Sequence, residues 1–298
     1  MSSFLLKGST MIVLSLFIGL LSTQSLNGLP INYALSLSKQ TQKNKPVCFV
    51  TLLQKQFPTL LQSCCTQWST NDSNEQNAQR LMVLTLLQKF LPDQAFIEYK
   101  LPELLEESLY LTQDFKPDAN TKLLALQPFL DNHYFALLHH HKKIMRVPEK
   151  VLKKLLSKKM IKQETDPFNA LIIWSYLKMM VQTHPLLSKQ YVKYLPCLES
   201  VIKKDPISWG YFLSYQVFHE TQFGKKLELS AENYSILCAY VTTANLEMFP
   251  ISVTAHLFIA FKLIDKQNST SAQKLAQVLC KSYPDNEFEK NLLLIAAA

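Results

Sequence analysis

The chain predicts an all-α fold: about twelve helices in antiparallel pairs, arranged as an α/α superhelix or toroid. Three observations carry that expectation. No glycine occurs between Gly28 and Gly210, so that stretch lacks the residue that tight hairpins and phosphate-cradling loops rely on. Apolar residues recur at helical spacing nearly everywhere after Pro46. Alternating strand patterns are missing.

In chain order, the pattern predicts helices over 47–66, 74–91, 101–113, 119–138, 148–162, 167–183, 186–203, 207–223, 230–245, 249–266, 270–283 and 285–296. Several starts carry capping chemistry. Ser73 precedes Glu75, Asp166 precedes Pro167, and Ser230 precedes Glu232, each placing an oxygen or an acid where a helix leaves N–H groups unpaired. Thr51 to Pro58 is echoed by Thr85 to Pro92 and more faintly by Thr121 to Pro128, a spacing that suits helical hairpins. The small-residue positions of the tetratricopeptide signature are not filled.

The first residues are different in kind. Lys7 precedes the apolar run Met11 to Leu21, followed by Ser22, Thr23, Gln24 and Ser25. This predicts a signal peptide over 1–25 and an exported protein, periplasmic or secreted. The run is shorter than the ~20 residues a bilayer span needs; the alternative is a retained membrane anchor through 4–21. Residues 26–46 are polar and read as a tether, which leaves 47–298 as a single helical domain.

Six cysteines occur, Cys48, Cys64, Cys65, Cys197, Cys238 and Cys280, and export would permit disulfides. Cys48 with Cys64 or Cys65 is the candidate bridge, and Cys238 and Cys280 read as apolar helix residues. Their spacing matches no zinc site. His139, His140 and His141 point in different directions around a helix and stand beside lysines, so they favour a helix C-terminus over a metal. No metal and no cofactor is expected.

The densest candidate site is the segment from Trp209 to Gly224. Helical spacing places Phe212, Tyr215, Gln216, His219 and Phe223 on one face, and Tyr211, Ser214, Phe218 and Thr221 on another. Tyr211, Phe212, Tyr215, Gln216, His219 and Phe223 are therefore candidate ligand-binding residues, with His219 and Glu220 as candidate proton-transfer groups. The competing reading is a central helix buried on two sides, with Gly224 as its cap and Lys225 and Lys226 at its negative end. Gly210 suggests a close approach of the backbone to a neighbour or ligand.

Tyr211, Phe218, Thr221, Phe223 and Gly224, with Ser214 in place of a threonine, resemble the Tyr-x-x-Thr-His-x-x-Phe-x-x-Thr-x-Phe-Gly signature of an uncharacterised bacterial all-helical domain family. The resemblance implies a helical fold. Tyr215 occupies the signature's histidine position; a catalytic role there would be lost in this chain or moved to His219.

A second feature is charge. From His139 to Lys162 the chain carries Lys142, Lys143, Arg146, Lys150, Lys153, Lys154, Lys158, Lys159 and Lys162 against the single acid Glu149. Its balance equals the +8 of the entire chain. Lys142, Lys143, Arg146, Lys153, Lys154, Lys158 and Lys159 are candidate contacts to an anionic membrane surface or acidic polymer, or a solvated helix face. A protein partner is a further possibility; nucleic acid is not expected, since aromatics do not interleave this run. Gly-x-Ser-x-Gly and His-Glu-x-x-His are both absent. The leading expectation is an exported binding or scaffold protein. The alternative is a toroidal enzyme acting on a glycan or lipid, with a cleft near Tyr215, His219 and Glu220.

Overall fold

The computed structural model describes residues 74–91, 97–98, 100–106, 131–132, 134–136, 138–139, 157–181, 185–227, 229–282 and 287–298. Among the described residues there are nine α-helices and no strand. The helices are α1 (Asn74–Phe90), α2 (Lys158–Gln163), α3 (Pro167–Val181), α4 (Pro185–Ile202), α5 (Pro206–Glu220), α6 (Ala231–Thr243), α7 (Ile251–Leu263), α8 (Thr270–Leu279) and α9 (Glu287–Ala297). Residues 97–98, 100–106, 131–132, 134–136 and 138 are also helical. The fold is all-α.

Local chemistry accounts for the helix starts. Proline opens α3, α4 and α5, where its missing N–H and fixed φ cost nothing. Asp166 accepts a hydrogen bond from the Asn169 N–H at 2.9 Å. Asp205 accepts from the N–H groups of Ile207 and Ser208 at 3.3 and 2.9 Å. Ser230 and Ser269 cap α6 and α8 through the N–H groups of Asn233 and Ala272. Asp205 and Ser269 were legible as caps but stand outside the three starts singled out above.

The helix ends depart from the expected boundaries. α5 stops at Glu220, not at residue 223, because Gln222, Phe223 and Gly224 all take positive φ (49°, 55° and 89°). The Gln222 N–H bonds the His219 carbonyl and the Phe223 N–H bonds the Phe218 carbonyl, the paired bonds of a Schellman cap. The left-handed cap residue is thus Gln222 and not Gly224. Left-handed backbone costs a side-chain-bearing residue ~1–2 kcal/mol, while burying a phenylalanine ring returns ~1.5–3 kcal/mol. Phe223 is only 3% exposed, so ring burial outweighs the strain. α7 ends the same way: Asp265 has φ 55° and the Lys266 N–H bonds the Phe261 carbonyl. An unexpected 3₁₀ turn, Leu246–Met248, joins α6 to α7.

α3 packs against α4 and α7 against α8, whereas α5 packs chiefly against α7 and α3, and α6 against α8. α5 and α7 lie side by side and run parallel: a Cβ on Gly210 would reach Val253 near the start of α7, and one on Gly224 would reach Leu263 at its end. α6 returns antiparallel to α5, so Asn233 meets Glu220 and the Tyr240 hydroxyl meets the Pro206 carbonyl. α7 is buried along nearly its whole length and α9 from Asn291 onward, whereas α6 buries only Leu237 and Val241. That burial is why α7 is apolar all round while α8 is one-sided. α1 and α9, the first and last of the nine, pack together.

Lysines close several helix ends from neighbouring elements. Lys274 of α8 donates to the carbonyls of Val241, Thr242 and Ala244 at 3.0, 3.0 and 3.2 Å, the end of α6. Lys262 of α7 donates to Ile295 and Ala296 at the end of α9, with its ammonium 4.4 Å from the Phe90 ring centre. Lys225 donates to the Leu138 carbonyl. Terminal carbonyls have no partner within their own helix, and a cation suits the negative end of the macrodipole. Burial pulls the Lys262 ammonium down to about 8.

Cys197 and Cys238 are free and half-buried. Cys280, at the end of α8, is disulfide-bonded; the expectation that it is a plain apolar helix residue is corrected. Cys48, Cys64 and Cys65 lie outside the described residues, as do residues 1–46 with the expected signal and tether. Among the described residues no helix is long and apolar enough to cross a membrane.

Candidate functional site

α5 holds the aromatic segment at the junction of α3, α6, α7 and the helical residues around Tyr134. Gly210 permits this. A Cβ there would sit 2.8 Å from both the Tyr240 hydroxyl and Val253 Cγ1, so the close approach that the glycine suggested is to neighbouring helices. Gly224 has the same purpose at the other end, with Lys89 Cγ and Leu263 Cδ2 at 2.7 and 2.9 Å from the position of a Cβ.

The six candidate ligand-binding residues do not share one face. Phe212 lies between the rings of Trp174 and Trp209, at 4.5 and 4.7 Å. His219 and Phe223 turn toward Tyr134, with ring centres 5.1 and 5.8 Å away. Tyr211 and Tyr215 turn toward α7, where the His256 ring lies at 5.4 and 5.5 Å. Gln216 points elsewhere and donates to Glu220 at 3.2 Å. Phe223 reaches His219 through the left-handed turn, not through helical spacing, because the helix has already ended. The face expected to hold Phe212, Tyr215, Gln216, His219 and Phe223 is therefore divided, and Tyr211, expected on the other face, turns with Tyr215 toward His256.

His219 is 7% exposed. Its Nδ1 lies 3.2 Å from the Tyr134 hydroxyl, and the Trp174 ring stands edge-on at 5.9 Å. Burial, reinforced by the positive charge of Lys178, lowers its pKa to about 3, so the imidazole is neutral at pH 7. His256 is fully buried and donates Nδ1–H to the Ser252 carbonyl at 2.6 Å, since that oxygen only accepts. Burial lowers it to about 4 against the opposing effect of that bond. The Tyr215 ring sits between the two, 6.4 Å from His219 and 5.5 Å from His256. Burial pushes its phenol well above the ordinary value. Tyr211 is held near 12 by burial, and its hydroxyl pairs with Ser252 Oγ at 2.7 Å.

Glu220, beside His219 in sequence, faces elsewhere. Its carboxylate accepts from Asn233 Nδ2 at 3.0 and 3.1 Å and from Gln216. An acid–base pair of His219 with Glu220 does not form.

The sequence singled out neither Tyr134 nor His256, although both line the site. His256 stands in an apolar run and Tyr134 lies 85 positions from its partner, so neither left a local pattern. Lys142, Lys143, Arg146, Lys153 and Lys154 lie outside the described residues. Lys158 opens α2, and Lys159 is exposed on it. His139 lies 2.9 Å from Thr85 Oγ1 through Nε2, a contact to α1 in addition to its place near a helix end. Among the described residues no three His, Cys, Asp or Glu side chains gather as a metal set. The class defined by this fold and site is an all-α protein with an aromatic, histidine-containing core helix. No family model, curated protein or solved structure matches the chain.

Proposed function

We propose that this chain is an exported helical binding or scaffold protein and that α5 organises its core. The observation that carries the reading is the engagement of the polar groups on α5. His219 is neutral and turned to Tyr134, Glu220 is held by two amides, and Tyr211 is paired with Ser252. A general acid or base needs a pKa near the working pH and reach to a substrate proton; an imidazole held near 3 is poorly matched to that task. The disulfide at Cys280 supports an oxidising compartment, in line with export.

The test is an activity screen of the full chain on glycan, ester and phospholipid substrates beside a His219→Ala variant. No turnover attributable to His219 is expected. Turnover that disappears in the variant while the fold persists would overturn the reading.

A second reading is the toroidal enzyme with a cleft at Tyr215, His219 and Glu220. One observation favours it: α1 packs against α9, an early helix against the last of the described ones, as a closed ring would bring them together.

A further inference from the structure

We propose that the outward face of α4, continued by α2, docks on an anionic lipid surface. The inference rests on reading the chain as a binding protein and names the partner. Lys189, Val192, Lys193 and Pro196 all point outward on α4, and Val192 is 71% exposed. Between Pro185 and Leu198 those two lysines are the only charged residues. Glu199, one residue further on, lies 3.8 Å from Lys203.

Placement makes the charge meaningful. Both lysines stand one turn apart with no acid between Pro185 and Leu198 to balance them, so the face carries positive charge that an external anion would offset. Lys178 of α3 adds to it from within, with its ammonium 5.5 Å from the Tyr191 ring centre. Pro196 has no N–H for the Val192 carbonyl, so this exposed valine also bears an open helical acceptor.

The second component comes from packing. α2 packs against α4 and carries Lys159 and Lys162, both exposed. α2 is also the end of the basic run that begins at Lys142. Packing thus sets α2, the described end of that run, beside a second cationic helix. The nearest acid after α2, Glu164, turns its carboxylate to the N–H groups of Thr165 and Asp166 at 3.0 and 2.9 Å.

Cationic stems around an exposed valine fit a bilayer interface, where lysines meet head groups and the apolar side chain enters the acyl boundary. A soluble polyanion would use the lysines but gain nothing from Val192.

The experiment is flotation of the full chain with phosphatidylcholine vesicles, with and without phosphatidylglycerol, and parallel binding to soluble polyphosphate. Among the vesicles, binding is expected only to those with phosphatidylglycerol, and polyphosphate is expected to bind more weakly through the lysines alone. Each lysine near such a surface contributes roughly a five-fold factor, so K189Q/K193Q is expected to weaken vesicle binding by about twenty-five-fold and K189E/K193E by more. V192S is expected to weaken vesicle binding and leave polyphosphate binding unchanged. Absent vesicle binding, or binding undiminished in both lysine variants, overturns the proposal. So does V192S without effect on vesicles while lysine reversal weakens both ligands equally, which assigns the face to a soluble polyanion. These variants leave His219 untouched, so their failure is separate from a failure of the non-enzymatic reading.

Discussion

The Nδ1 atom of His219 and the hydroxyl of Tyr134 lie 3.2 Å apart, although 85 residues separate them in the chain. This contact fastens the end of α5 to the helical residues around Tyr134. Burial of the imidazole at that junction, reinforced by the charge of Lys178, makes the core sensitive to acid.

His219 and His256 have folded pKa values of about 3 and about 4 against 6.5 for the free side chain. The unfolded chain therefore binds more protons than the folded one below pH 6.5. Their stabilising contribution is fully present above pH 6.5 and is lost as pH falls toward 4 and 3. Each group costs about 1.4 kcal/mol per pH unit within its window. Urea midpoints are expected to drop between pH 6.5 and 5, before most carboxylates titrate. The drop should be shallower in His219→Phe and in His256→Asn; equal slopes in all three proteins would show that the imidazoles do not control it.

Glycine substitutions should separate close approach from backbone strain. Gly210→Ala gains ~1 kcal/mol of helix propensity but forces a Cβ within 2.8 Å of Tyr240 and Val253, which costs ~1–3 kcal/mol. A net loss is expected. Gly224→Ala meets both contacts and strain at φ 89° and should lose more. Gln222→Gly, at φ 49° in the cap, should instead gain ~1 kcal/mol. Thermal or denaturant unfolding checks the order of the three.

Lys274→Met removes the ammonium that closes α6 while keeping most of the aliphatic stem. The last carbonyls of α6 then lose their partner. A loss of about 1–2 kcal/mol is expected, with faster amide exchange in α6 and α8 than in α7. Unchanged exchange there would remove the lysine from the account of how α6 is held.

Asn233→Asp places a second carboxylate against Glu220 in place of a donor amide. A loss of about 1–3 kcal/mol at pH 7 is expected. It should diminish as the pH falls and one of the pair takes up a proton, because like charges raise carboxylate pKa values. A loss independent of pH would point to packing instead.

Much of the fold was legible locally. Helical periodicity, the missing glycines and the capping residues Asp166 and Ser230 all act within a few residues, so they leave a pattern in the chain. The ends of α5 and α7 were less legible, because Gln222, Phe223 and Asp265 adopt left-handed backbone that their residue types do not announce. Phe223 is tolerated there for a ring contact with residues far away in sequence. The candidate segment stood out for its aromatic density, but its division among Trp174, Tyr134 and His256 could not be read from helical spacing, which orders side chains around one axis and says nothing of the neighbours.

Helix type, approximate boundaries, capping and the concentration of charge follow from the order of residues alone, since each depends on short-range backbone geometry and hydrogen bonding. Which lysine closes which helix, which glycine yields to a neighbour, and which histidine is held neutral were decided only when helices distant in sequence packed together. Packing excludes water, and the absence of water gives a buried imidazole or an open carbonyl its energetic consequence.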